Sequence, residues 1–290
     1  MIPAEADPAQ FDELTATLSE LAANDGLEFE LRSSLSVNDL SLSQRLVVAV
    51  PPDPGLTEMA QAAPRTQFLG IGIPGLEPDA NLSLIDTQGI NPENIGFLAG
   101  YLAAVITPEW RVGAITISDT SEGVIHRDSF LNGAVFFCGL CRQTYPPFNT
   151  YPMYVEASAG SIAQEWQSAA GILIDQAVRT AYIPPGVGDE SLLEYLAGAE
   201  LNLIGTNPPP PGLQSNWIAT ITGDINSALR KAWPDLIAGQ GGLFIPASLT
   251  LTDINSQMFS PGRQRLVENM ILELESGFID IGVGDSQDSP

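Results

Sequence analysis

At 290 residues the chain has room for two lobes of ordinary domain size, and 44% hydrophobic against 7% aromatic residues mark it as globular rather than disordered. Eleven basic against thirty-five acidic residues give a formal charge of −24, with Lys231 the sole lysine, so the protein's field repels nucleic acid and anionic membrane surfaces. Nucleic acid is excluded as a partner on that ground, and the carboxylates are scattered as on a solvated surface rather than run together.

Pro8 to Asn24 reads as a helix with Asp7 as its cap, Phe11, Leu14, Leu18 and Leu21 on the buried face and Asp25-Gly26 at its end. Leu27 to Arg32 alternates as a strand. A short helix near Asn38 to Gln44 leads to the apolar run Leu46 to Val50, which Pro51-Pro52 terminates. Thr57 to Ala63 is predicted helical, and Gln67 to Ile73 and Asn81 to Asp86 are predicted strands. Phe97 to Ile117, FLAGYLAAVITPEWRVGAITI, is a helix, a turn and a strand. Gly96, Ala99, Gly100, Ala103 and Ala104 leave one helix face almost bare, which suits close approach to a sheet, and Thr107-Pro108 stops the helix before the strand Arg111 to Ile117.

The same grammar then restarts. Helices are expected at Ile125 to Phe137, Ser161 to Gln176, Glu190 to Ala197, Asp224 to Ile237 and Pro261 to Ser276. Strands are expected at Met153 to Ala157, Thr180 to Ile183, Asn202 to Gly205 and Trp217 to Thr222. Strands that alternate with helices and read as apolar runs make an α/β protein with doubly wound parallel sheets, here in two lobes. In such sheets binding collects at the carboxyl ends of the strands.

These residues resemble the basic membrane protein family, the nucleoside-binding lipoproteins of bacterial ABC transporters. The likeness is carried by ADPAQFDE near the start, FLAGYLAA followed by a strand beginning at Val112-Gly113, FLNGAVFF, LNLIGTN, and FSPGRQRLVENMILELESGFIDI, in order and at matching spacing. It implies a type I periplasmic-binding-protein fold, with residues 1–118 plus 218–245 as one lobe, residues 119–217 plus 246–290 as the other, and a three-segment hinge. It further implies a monomeric, extracytoplasmic solute-binding protein that closes two lobes around a small polar ligand such as a nucleoside and delivers it to an ABC permease. Such a protein is secreted or lipid-anchored after loss of its signal peptide and needs no cofactor. The opening MIPAEADPAQF lacks both a basic region and an apolar core. The family's first strand would fall before Pro3, leaving a truncated or degenerate strand and an exposed sheet edge.

Position by position, the resemblance places Asp7 and Phe11 on the family's acidic and aromatic opening residues, with Asp12 where asparagine is usual. Phe11 can stack on a base or simply begin a helix core. Thr206-Asn207 stands where the family has an aspartate for ribose hydroxyls, and Gly223-Asp224 where it has a lysine. Asp224 is equally a helix cap. These departures point to a neutral or cationic ligand, or to lobes that bind nothing tightly.

From the residues alone, Asp119, Thr120 and Ser121 follow a strand and suit either a ligand or a turn. Tyr182, Pro185 and Gly186 end another strand. His126 and Arg127 open a helix, where a lone histidine is ordinarily solvated; Trp166 and Trp217 read as core residues. Cys138 and Cys141 admit a redox dithiol, half a metal site or a local disulfide, and a disulfide or two inert thiols is preferred because His126 is the only histidine. No Gly-x-Ser-x-Gly elbow, phosphate loop or His-Glu-x-x-His is present, and Gly70-Ile71-Gly72 lacks the rest of a dinucleotide fingerprint, so the chain reads as a non-enzyme. Two alternatives stand beside transport: a ligand-sensing ectodomain, and a carboxylate-based hydrolase using Asp7 or Asp119.

Overall fold

The computed structural model describes residues 1–2, 11–86, 91–139 and 141–282. In chain order its first elements are α1 (Asp12–Asn24), β1 (Leu46–Ala49), α2 (Leu56–Ala62), β2 (Gln67–Ile71), β3 (Leu82–Asp86), α3 (Pro92–Ile106), β4 (Val112–Ile117) and α4 (Ser121–Phe137). There follow β5 (Met153–Ala157), α5 (Ala163–Asp175), β6 (Thr180–Ile183), α6 (Glu190–Gly198), β7 (Asn202–Gly205), β8 (Trp217–Asp224), α7 (Ile225–Ile237), β9 (Phe244–Pro246), β10 (Ser248–Thr252) and α8 (Pro261–Glu275).

Two units result, residues 1–90 with 223–248 and residues 91–222 with 249–290. The first holds the sheet β1-β2-β3-β9, whose pairs are all parallel. Every residue of β2 is buried because helices cover both faces, which is why this strand reads as an unbroken apolar run rather than an alternation. Leu69 and Ile71 face a core with Leu14 and Leu18 of α1 and Leu229 and Trp233 of α7. Phe68 faces the other way, against Leu56 and Met59 of α2.

The second unit holds a six-stranded sheet ordered β10-β8-β7-β6-β4-β5. Its strand β4, next to the edge strand β5, is buried along its whole length and pairs in parallel with β5 and β6. One face carries Ile115, Trp166, Leu173, Leu192, Leu203 and Trp217, so both tryptophans are core residues. The buried Arg111 guanidinium holds the loop before β5, donating to the carbonyls of Tyr145 at 2.8 Å and Pro147 at 3.2 Å. Cys138 and Cys141 form a disulfide just past α4.

Several expectations are corrected. The boundary at residue 118 is displaced to 90: α3 and β4 belong to the second unit, because β4 pairs with β5 and β6 of that unit's sheet. Residues 218–222 likewise stay in the second unit with β8, and residues 246–248 go to the first. The bare face of α3 meets a helix rather than a sheet. A methyl group added at Gly100 would lie 2.0 Å from the Phe130 carbonyl oxygen of α4, and one at Gly133 would lie 1.9 Å from that of Phe97. Among the described residues Leu27 to Arg32 makes no ladder despite its alternation; the Ile2 amide donates to the Arg32 carbonyl at 3.0 Å. The strands β9 and β10 were not anticipated, being three and five residues long and partly exposed.

Candidate ligand-binding loops

Parallel pairing of β5, β4, β6 and β7 brings the loops that follow them to one end of one sheet. Asp119, Thr120, Pro185, Gly186, Thr206 and Asn207 therefore share the carboxyl end of the second unit. Asp119 ties the β4 and β5 loops together: its carboxylate accepts from the Ala159 amide at 2.8 Å and from the Ser158 hydroxyl. Those bonds, the serine's foremost, hold its pKa below the ordinary carboxylate value, so it is an anion near neutral pH. Thr120 caps α4, accepting from the Gly123 amide at 3.0 Å. Pro185 and Gly186 are exposed, and Gly186 at φ 76° turns the chain in a conformation that glycine adopts without strain. Beneath Asn207, Thr220 Oγ1 lies 3.3 Å from the Asn207 carbonyl and 2.7 Å from Asp253, and Trp217 donates to it at 2.9 Å. That network fixes the loop while leaving the Asn207 side chain exposed.

Other predicted residues fall elsewhere. Tyr182 is fully buried, its ring stacked on Phe130 at 5.7 Å and its hydroxyl 3.0 Å from Nδ1 of His126. Its side chain is withdrawn from the loops. His126 is 2% exposed, contrary to the surface position expected of it, because its face of α4 turns inward onto β6. Burial lowers its pKa, against a smaller raising effect of Glu122. Asp224 caps α7 of the first unit, accepting from the Ser227 amide at 2.8 Å. Phe11 sits at the start of α1 and packs against the core of that unit. Asp7 lies outside the described residues.

Sequence reasoning missed a second feature. At the carboxyl ends of β2 and β3, beside Phe244 at the start of β9, the first unit has a hollow of about 250 Å³ lined by Gly70, Gly72, Ile73, Gly75, Asp86 and Phe244, among others. Gly72 and Gly75 take φ of 62° and 73°, and a methyl group at Gly70 would come within 2.8 Å of Leu76. The signal is a strand that runs into Gly70-Ile71-Gly72-Ile73-Pro74-Gly75, a pattern wider than the dinucleotide motif it fails to complete. Among the described residues, no group of three His, Cys, Asp or Glu side chains could hold a metal, and no helix is long and apolar enough to cross a membrane.

No family model matches the sequence, and no curated protein matches it. Solved structures do match by fold. An ABC transporter solute-binding protein from Conexibacter woesei DSM 14684 aligns with a TM-score of 0.68 at 18% identity over 93% of each chain. One from Aeropyrum pernix K1 aligns at 0.54 and 16%, over 96% of this chain and 90% of that one. A transcriptional activator of the comK gene from Bacillus halodurans aligns at 0.55 and 14% over 97% of each. The chain has the α/β fold of periplasmic-binding-protein-like structures.

Proposed function

We propose that this protein is an extracytoplasmic solute-binding protein of an ABC transporter, which takes a small polar ligand at the carboxyl-end loops of its sheets. The observation that carries the reading is the gathering of Asp119, Thr120, Pro185, Gly186, Thr206 and Asn207 at one end of the second unit. A ring of hydroxyl, amide and carboxylate groups over a buried sheet recognises a ligand by hydrogen bonds and performs no covalent chemistry. The hollow lined by Gly72, Gly75 and Asp86 is the corresponding surface of the first unit.

In this reading the chain is a monomer without a cofactor, and the three crossings at residues 90/91, 222/223 and 248/249 act as a hinge. A ligand with higher affinity for a closed form draws the units together, and the permease recognises that form. The ligand is nucleoside-like or another neutral or cationic ring-bearing solute, since Asp119 supplies an anion and neither loop set supplies a lysine. The same fold in a transcriptional activator favours, as a second reading, ligand sensing without transport.

A thermal-shift screen of nucleosides, bases, sugars, amino acids and polyamines tests the reading, because a ligand bound only by the folded state raises the melting temperature. A hit accompanied by contraction in X-ray scattering is the expected result. Silence across the panel, or a hit without contraction, counts against it.

A further inference from the structure

The end of the second unit away from the candidate ligand loops, where β4 and β5 start and α4 stops, carries aromatic rings that the fold holds in the open. Phe148 is 71% exposed, Tyr145 53% and Phe136 52%. Their backbone is fixed from beneath. The buried Arg111 guanidinium, which holds the carbonyls of Tyr145 and Pro147, also lies 5.9 Å from the centre of the Tyr145 ring. The Tyr145 hydroxyl donates to the Glu109 carboxylate, the Asn149 amide to the Gln176 carbonyl at 2.5 Å, and the Tyr151 hydroxyl to the Ala134 carbonyl at 2.8 Å. Trp110 meets Tyr151 edge-on with ring centres 6.4 Å apart and leans on Phe137 at 6.1 Å. Glu109 and Trp110 both take positive φ there, 62° and 60°, a conformation that a bulky residue keeps only where its surroundings impose it.

In this same segment the chain's acidity stops. Of thirty-five acidic residues none falls between Ser129 and Val155, where Arg142 is the only charged residue. Glu109, which the fold brings beside it, is engaged by Tyr145 and by Arg111 at 3.5 Å. Phe, Tyr and Trp rings with an arginine and no free carboxylate match the chemistry of a membrane–water interface, where aromatic rings sit among headgroups and a guanidinium meets phosphate. On a chain of charge −24 this is also the surface that a lipid headgroup layer repels least. A protein partner fits less well. The three exposed rings offer about 350 Å² together, under half of the roughly 800 Å² per partner that a stable protein interface buries. A second copy would also bring its own charge of −24.

We propose that this end of the second unit is a membrane-contact site: Phe148 and Tyr145 enter the interfacial layer of a zwitterionic phospholipid bilayer, and Arg142 reaches the lipid phosphates. The contact is peripheral, since no helix among the described residues is long and apolar enough to cross a membrane. Because the loop is already fixed, insertion costs no ordering of the chain, and its strength comes from the apolar ring area that leaves water. The loops at the carboxyl end of the sheet stay clear of the lipid. The inference is independent of whether those loops bind a solute.

The test mixes the full 290-residue chain with phosphatidylcholine vesicles and measures co-sedimentation. Binding weaker than that of a single acyl chain is expected, with half the protein bound at about 1 mM accessible lipid. Phe148→Asp should cut that binding about fivefold or more at an unchanged melting temperature, because the side chain it replaces stands largely in solvent. In Phe148→Trp the new indole should shift its emission to the blue when vesicles are added and be quenched by brominated lipid. No co-sedimentation of the unaltered chain overturns the proposal, as does equal binding by Phe148→Asp or an indole that brominated lipid leaves unquenched. Vesicle-free self-association that Phe148→Asp abolishes overturns it in favour of a second copy.

Discussion

The two units solve one folding problem with different materials. Both bury a parallel sheet between helices, yet the first relies on large side chains across its interfaces, with Leu14, Leu18, Leu229 and Trp233 over Leu69 and Ile71. The second brings α3 and α4 to near backbone contact through Gly100 and Gly133. Large side chains tolerate repacking, because neighbouring rotamers can shift, whereas a backbone-to-backbone contact leaves nothing to move. Sequence changes are therefore expected to be felt unequally in the two units.

The largest effect should come from Gly133→Val. The new side chain has no room against the Phe97 carbonyl, so α3 and α4 must separate, and urea denaturation should show a loss of about 3 kcal/mol or more confined to the second unit. Ala228→Val in the first unit enlarges a residue in a side-chain interface and should cost about 1 kcal/mol. Equal losses would break the comparison.

Acid should separate the units as well. His126, the chain's one histidine, is buried in the second unit between Tyr182 and the Glu122 carboxylate. Among the described residues its Nε2 has no hydrogen-bond partner, and it lies 3.8 Å from the Glu122 carboxylate. Its folded pKa is lowered from 6.5, so just below pH 6.5 the unfolded state binds a proton that the folded state does not. Stability contributed by the neutral ring is complete above that pH and falls as pH drops towards the folded value, by at most about 1.4 kcal/mol per pH unit. His126→Leu should flatten this slope between pH 6.5 and the folded pKa in denaturation of the second unit; an unchanged slope would assign the acid sensitivity to carboxylates.

How far these differences were legible beforehand depends on the kind of contact involved. Apolar runs such as Gln67–Ile71 and Val112–Ile117 announced buried parallel strands, and the caps and breakers around Phe97 and Thr107 announced the intervening helix. The partner of a small-residue face was not legible, because Gly100 admits a sheet or a helix equally. Nor was the unit to which β4 belongs, since strand order is a long-range property that local pattern does not carry. The candidate loops could be placed from strand ends alone. The fate of each side chain could not: Tyr182 and Gly186 belong to one strand and its exit, yet one is core and the other exposed. Leu27 to Arg32 shows the converse, a legible alternation that makes no ladder among the described residues.

Helix caps offer a finer comparison. Thr120 caps α4 in the second unit, and Thr120→Ala should cost about 1 kcal/mol by thermal or urea denaturation, with Thr120→Ser restoring most of it. If neither variant alters stability, the Thr120 hydroxyl is reserved for a ligand.

The smallest effects on stability, and the sharpest on function, should come from two aspartates at strand ends. Asp224 spends its carboxylate on the Ser227 amide as the cap of α7, whereas Asp119 links two loops and remains exposed and ionised. Asn is as good a cap as Asp, so Asp224→Asn should change stability by only a few tenths of a kcal/mol and leave any thermal-shift hit in place. Asp119→Asn keeps the shape and an acceptor oxygen but removes the negative charge from the β4 loop. It should weaken a cationic or hydroxyl-donating ligand about tenfold in titration calorimetry without a matching loss of melting temperature in the free protein. If the two variants exchange these effects, the ligand contact belongs to the end of β8, where the family resemblance puts a lysine, and the β4 loop is a turn.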